Sequence, residues 1–150
     1  MSRSDVGRQR AYLQEMARRR GYVLDYHKVL VAEDLPFMKA VNDLLAISYT
    51  NNRRLDRKTK ELISVAVHTA LGSGQGHIAA HIEVAKRHGA TKVEVLEVLE
   101  VLALAAGLPR FMGGLAAWME CFPVARVELE RPATGRGGRR ASRSRTSARR

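Results

Sequence analysis

From Asp56 to Gly107 the chain repeats apolar residues at three- and four-residue intervals, and this periodicity restricts it to helices packed on helices. Leu62, Ile63, Ala66, Val67, Ala70 and Leu71 form one such stripe. Val95, Leu96, Val98, Leu99, Leu102 and Ala105 form another, broad enough to cover more than one face. Punctuation supports the reading. Asp56 is placed to cap the first stripe and the Gly72-Ser73-Gly74 cluster to end it. The next helix is expected over residues 75–88, stopping at Gly89, and Thr91 with Glu94 forms a capping box for the one that follows.

Upstream, residues 4–20 read as a basic, weakly amphipathic helix closed by Gly21, and residues 22–30 fit either an extended segment or a short turn. Asp34 caps a helix that tolerates Pro36 in its first turn, and residues 51–54 form a polar break. Gly107 and Pro109 separate the broad apolar helix from a last one over residues 110–121. With no alternating strand pattern and no tandem repeat, the expected class is all-α, a bundle of about six helices.

The net charge of +11 is unevenly distributed. The last twenty residues hold eight arginines and no acid, leaving 18 basic against 15 acidic side chains in the first 130. That tail, spaced with Gly, Ser, Thr and Ala, lacks the apolar side chains needed to offset ordering entropy, so residues 126–150 are expected to be disordered. It could engage nucleic acid or an acidic partner through its charge, or serve only as a solvated extension; no aromatic residue is interleaved for base stacking. The chain has a single cysteine, Cys121, which excludes an internal disulfide or a CxxC pair. There is no apolar run of the roughly 20 residues that span a bilayer and no secretory signal at the N-terminus, so a cytoplasmic protein without membrane contact is expected.

Four of five histidines, His68, His77, His81 and His88, fall within 21 residues. Imidazole is the side chain best suited to proton transfer near neutral pH, and a buried carboxylate can be tuned to share that work. Glu61 and His68 lie two turns apart on one helix, while His77 and His81 share a face of the next. A hairpin turning at residues 72–76 would let these faces converge into an acid/base pocket. Each residue also has a plainer role. Glu61 could pair on the surface with Arg57 or Lys58, His68 could be a satisfied core imidazole, and His77 could face solvent in a first helical turn. His81, flanked by Ala79, Ala80 and Ile82, is the hardest to leave unpaired. The HxxxH spacing offers two metal ligands, but no neighbouring cysteine or aspartate completes a tetrahedral set, so no metal and no cofactor are expected. The Gly72–Gly76 run lacks both the preceding strand and the Lys-Ser/Thr of a phosphate loop.

Three segments, LDRKTKELISVAV, HIAAHIEVAKRHGAT and KVEVLEVLEVLALAAGLP, together resemble the carboxymuconolactone decarboxylase family, which includes the alkylhydroperoxidase D-like proteins. The resemblance spans roughly residues 35–120. It implies an all-α domain over residues 31–125, preceded by an N-terminal helical extension over 1–30 and assembling as trimers or hexamers. Such assembly agrees with the over-apolar helix, with Met112, Leu115 and Trp118 as further interface candidates. In the peroxidase branch a CxxC pair precedes the final histidine. Alignment on His81 puts Gly74 and His77 in those places, and alignment on Glu61 moves the first to Ser73, so peroxidase activity is disfavoured. The decarboxylase branch needs no thiol. By resemblance, the chain is expected to be a cofactor-free lyase acting on a small lactone or carboxylic acid. His81 would be the general acid, His77 or His68 the enolate donor, Glu61 the residue orienting an imidazole, and Arg53, Arg54 or Arg57 the carboxylate clamp. The alternatives are an oligomeric binding protein that has lost catalysis and a thiol route through Cys121 alone.

Overall fold

The computed structural model describes residues 3–127. Among these residues there are seven α-helices, one π-helical turn and no strand: α1 (Arg3–Arg20), α2 (Asp25–Glu33), α3 (Leu35–Leu45), the π turn (Ala46–Thr50), α4 (Arg57–Leu71), α5 (Gln75–Arg87), α6 (Lys92–Ala106) and α7 (Leu108–Cys121). The all-helical class expected from the periodicity is the class observed. The tail expected to be disordered lies, beyond residue 127, outside the described residues.

Helix boundaries follow the capping chemistry. Asp34 accepts the Phe37 N–H at 3.0 Å and Asp56 accepts that of Thr59 at 2.7 Å. At the start of α6, Thr91 Oγ1 accepts the Glu94 N–H at 3.1 Å while Glu94 Oε2 accepts the Thr91 N–H at 2.8 Å. Two elements differ from the sequence expectation. The ambiguous stretch after Gly21 contains a full helix, α2, which raises the count from six to seven and carries helix across the expected domain junction at residue 30. The last helix begins at Leu108, because Pro109 sits in its first turn, where a missing N–H costs nothing. The break therefore falls on Gly107 alone, at φ 81°.

Two apolar clusters hold the chain together. The larger joins α4 through α7 around Val65, Ile78, Ile82, Val95, Leu99 and Trp118. The smaller, Met16, Val31 and Met38, pins α1 and α2 to α3. Trp118 and Leu115, expected as interface candidates, instead pack in or against the larger core, and Trp118 Nε1 donates to the Lys92 carbonyl at 3.0 Å. Met112 remains exposed. So do Ile63 and Val67 on α4 and Val101 and Leu104 on α6, the last at 93%. A mostly apolar groove of about 550 Å³ lies between these two helices, lined by Leu62, Ile63, Ala66, Val98 and Val101 among others. Among the described residues no helix is long and apolar enough to cross a membrane.

Candidate active site

Glu61, in the first half of α4, is fully buried, and three side chains donate to it. Its Oε1 accepts Arg57 Nε at 2.6 Å, one turn back on the same helix. Its Oε2 accepts His81 Nδ1, from α5, at 2.8 Å. The same oxygen accepts the hydroxyl of Tyr49, which the π turn carries beside α4. Burial alone would raise the Glu61 carboxyl, but the hydrogen bonds from His81, Tyr49 and Arg57 outweigh it and hold the group below its usual range. Glu61 is thus an ionised carboxylate. The Tyr49 hydroxyl is driven upward by burial and by Glu61, so it stays protonated as a donor.

This arrangement fixes His81. With Nδ1–H held by Glu61, and Tyr49 Oη 3.0 Å from the same nitrogen, the other ring nitrogen, Nε2, is left as the working atom. His81 is 3% exposed and its Nε2 has no hydrogen-bond partner in the protein. His81 lines a cavity of about 220 Å³ together with His68, His77, Tyr22, Tyr26, Tyr49 and others. That is smaller than the roughly 300–1,000 Å³ of sites for drug-sized ligands, so the space suits a small molecule.

The short turn after α4 folds α5 back so that three imidazoles meet. The ring centroid of His68 lies 4.2 Å from that of His77 and 4.8 Å from that of His81, with His77 and His81 5.3 Å apart. Ser73, in the turn, places its Oγ 3.0 Å from His68 Nδ1. Burial, reinforced by its histidine neighbours, pushes His77 down to about 4, and His68 is lowered for the same reasons. Both are therefore neutral at pH 7. The sequence-predicted set Glu61, His68, His77 and His81 is gathered at one site. His88 caps α5 and does not line the cavity.

The three arginines considered as clamps are placed elsewhere. Arg53 and Arg54 line a separate cavity with Ser48, Leu55 and Lys60. Arg57 is buried and occupied: besides Glu61 it donates from Nη2 to the Arg20 carbonyl at 2.8 Å and lies 4.8 Å over the Tyr49 ring. The cavity wall instead includes Arg20 at the end of α1, Tyr22 in the link that follows and Tyr26 at the start of α2, a contribution missing from the sequence expectation. Gly21 makes it possible. At φ 89° it takes the left-handed turn that leads out of α1, and its carbonyl accepts Arg87 Nη2 at 2.7 Å. The signal for this wall was the aromatic and histidine content of residues 22–27, where Tyr22, Tyr26 and His27 fall within one and a half turns.

His68, His77 and His81 each offer a ring nitrogen, all within 4.8 Å of one another, which is a donor set seen around divalent transition metals. The HxxxH pair lacks a third ligand in its own helix, and His68 from α4 supplies one. Zn–N bonds of about 2.0–2.1 Å would bring tetrahedral ligand atoms to about 3.4 Å apart.

The model of the carboxymuconolactone decarboxylase family matches residues 36–120. The chain belongs to this family. The matched span contains the π turn and helices α4 to α6 complete, hence Tyr49, Glu61 and all three cavity histidines, whereas Arg20, Tyr22 and Tyr26 precede it. No curated protein matches the chain. Within the family's helical frame the thiol route finds little support. Cys121 does not line the cavity, its Sγ lies 3.7 Å from the Ala79 carbonyl, and burial together with Glu83 pushes the thiol up to about 12. A thiol so raised is not a thiolate at neutral pH.

Proposed function

We propose that this family member is a cofactor-free lyase that removes CO₂ from a small lactone or carboxylic acid, with His81 as the general acid. The single observation that carries the reading is the His81 ring: Nδ1 is locked to a buried, ionised Glu61, Nε2 is buried and unpartnered, and the residue lines a cavity of small-molecule size. In the proposed reaction the C–C bond to the carboxylate breaks and its electron pair passes into a conjugated carbonyl, giving an enolate. His77 or His68, neutral and therefore still carrying one N–H each, donates to the enolate oxygen. His81 Nε2, having taken up a proton from solvent before the step, then delivers it to carbon, and Glu61 holds the ring in position through the transfer. Because the substrate's own carbonyl accepts the electrons, the residues present suffice for the chemistry.

The test is CO₂ release and loss of ultraviolet absorbance from 4-carboxymuconolactone, with wild-type protein beside His81→Ala. Turnover by the wild type and none by the variant is the expected result. Equal turnover by both removes His81 from the mechanism. The clustered ring nitrogens favour a second reading, in which a divalent metal polarises the carbonyl. Exhaustive chelation separates the two, since activity that survives it supports the cofactor-free route. We also propose assembly into trimers or hexamers through the exposed apolar residues of α4 and α6.

A further inference from the structure

Arg20 ends α1, is 3% exposed and, among the described residues, is the only arginine or lysine lining the histidine cavity. Its side chain is held on two sides by neutral groups. Nε donates to Asn42 Oδ1 at 2.9 Å, and Nη1 lies 2.9 Å from His27 Nε2. The imidazole of His27 is itself kept neutral, pushed down to about 4 by burial, by Arg20 and by His77. The remaining nitrogen, Nη2, is buried and has no partner in the protein. A guanidinium cannot shed its charge by deprotonating, so burying it with only neutral hydrogen-bond partners is costly. Fixed in place with both N–H groups of Nη2 unused, it is prepared for an anion that the chain does not provide.

We propose that Arg20 binds a carboxylate of the substrate, in the cavity where His81 Nε2 waits for the reacting carbon. The inference rests on the reading of this cavity as the substrate site. It moves the carboxylate-binding role from Arg53, Arg54 and Arg57 to a residue outside the family-matched span of 36–120. The segment running from α1 into α2 thereby becomes part of the substrate site, with Tyr22 and Tyr26 as wall beside the clamp. Charge flow during the reaction says which carboxylate is held. A carboxylate leaving as CO₂ loses its charge as the bond breaks, so pairing it with Arg20 would stabilise the ground state more than the transition state and slow the step. Arg20 therefore binds a carboxylate that stays on the product.

The experiment is calorimetric titration of the full chain with benzoate and with its uncharged counterpart benzamide. Benzoate is expected to bind at least about tenfold more tightly than benzamide, and Arg20→Gln to remove that preference while leaving benzamide unchanged. Arg54→Gln, in the separate cavity, should bind benzoate as the wild type does. Equal affinity for the two probes, or a folded Arg20→Gln protein with undiminished benzoate preference, overturns the proposal. Because Arg20 also contacts Asn42 and His27, a variant that fails to fold is replaced by a crystal structure of the wild type with 4-bromobenzoate. A carboxylate on Arg20 Nη2 supports the clamp, and one seated elsewhere, or an empty cavity, overturns it. A carboxylate seated on Arg20 in a protein that releases no CO₂ leaves the clamp standing and defeats only the lyase reading.

Discussion

Tyr49→Phe tests a hydrogen bond on which the buried carboxylate depends. The phenol donates to Glu61 Oε2, and the substitution removes that one O–H while keeping the ring that packs 4.8 Å beneath the Arg57 guanidinium. Glu61 has no solvent exposure, and without the phenol Oε2 retains only His81 Nδ1 at 2.8 Å. A hydrogen bond to a charged group is worth about 1.5–3 kcal/mol, which sets the expected loss of stability. For a chain of this size that is a fall in Tm of roughly 4–10 °C. Urea unfolding at one protein concentration measures it, with an unchanged m-value showing that only stability has moved. The same substitution in a Glu61→Gln background should cost less by about 1 kcal/mol or more, because the charge that strengthens the bond is gone. A Tyr49→Phe protein within about 0.5 kcal/mol of wild type would refute the reasoning, as would an equal cost in both backgrounds.

Acid should weaken the fold before it protonates the carboxylates. His27 and His77 are lowered to about 4 from an ordinary value near 6.5, so between those values the unfolded chain binds more protons than the folded one. Stability is then complete above about pH 6.5 and declines as pH falls toward 4, a trend that urea midpoints at pH 7, 6 and 5 would reveal and that a flat series would contradict. Gly114→Ala should destabilise by about 1–3 kcal/mol, since a β-carbon there would lie 2.6 Å from Leu99 Cδ2 and 2.7 Å from Thr69 Cγ2 where α7 crosses α6 and α4; thermal unfolding tests it. Leu104→Glu, at a fully displayed apolar position, should lower the sedimentation-velocity mass toward that of a monomer while circular dichroism stays unchanged. Cys121→Ser should leave lactone turnover intact, and a loss of activity would revive the thiol route.

Much of the fold could be read from the sequence because local signals and packing agree. The α6 stripe enters the core through Val95, Leu99 and Leu102, and Asp34, Asp56 and Thr91 cap as their side chains predict, whereas the α4 stripe turns Ile63, Val67 and Leu71 outward and that helix reaches the core through Val65. Where a segment's role depends on distant partners, the reading fell short. Residues 22–30 carry no clean period, and α2 is settled by packing Val31 against Met16 and Met38. Half of the site was legible for the same reason: Glu61, His68, His77 and His81 occupy predictable faces of two helices joined by a short turn. Arg20 and Tyr49 were not, since their places depend on a glycine turn and a π turn whose consequences are tertiary. The arginine nearest in sequence, Arg57, was misleading for a physical reason: one turn from Glu61 on the same helix, it is consumed by that carboxylate.

The central claim is that His81 Nε2, oriented by Glu61, delivers one proton to one face of a bound carbanion equivalent. Decarboxylation of 4-carboxymuconolactone in deuterated water, with the product analysed by NMR, measures that delivery directly. A single deuterium at one carbon and of one configuration is expected with wild-type protein, and no enzymatic product with His81→Ala. Product deuterated equally on both faces, or stereospecific deuteration persisting in the His81→Ala variant, would contradict it.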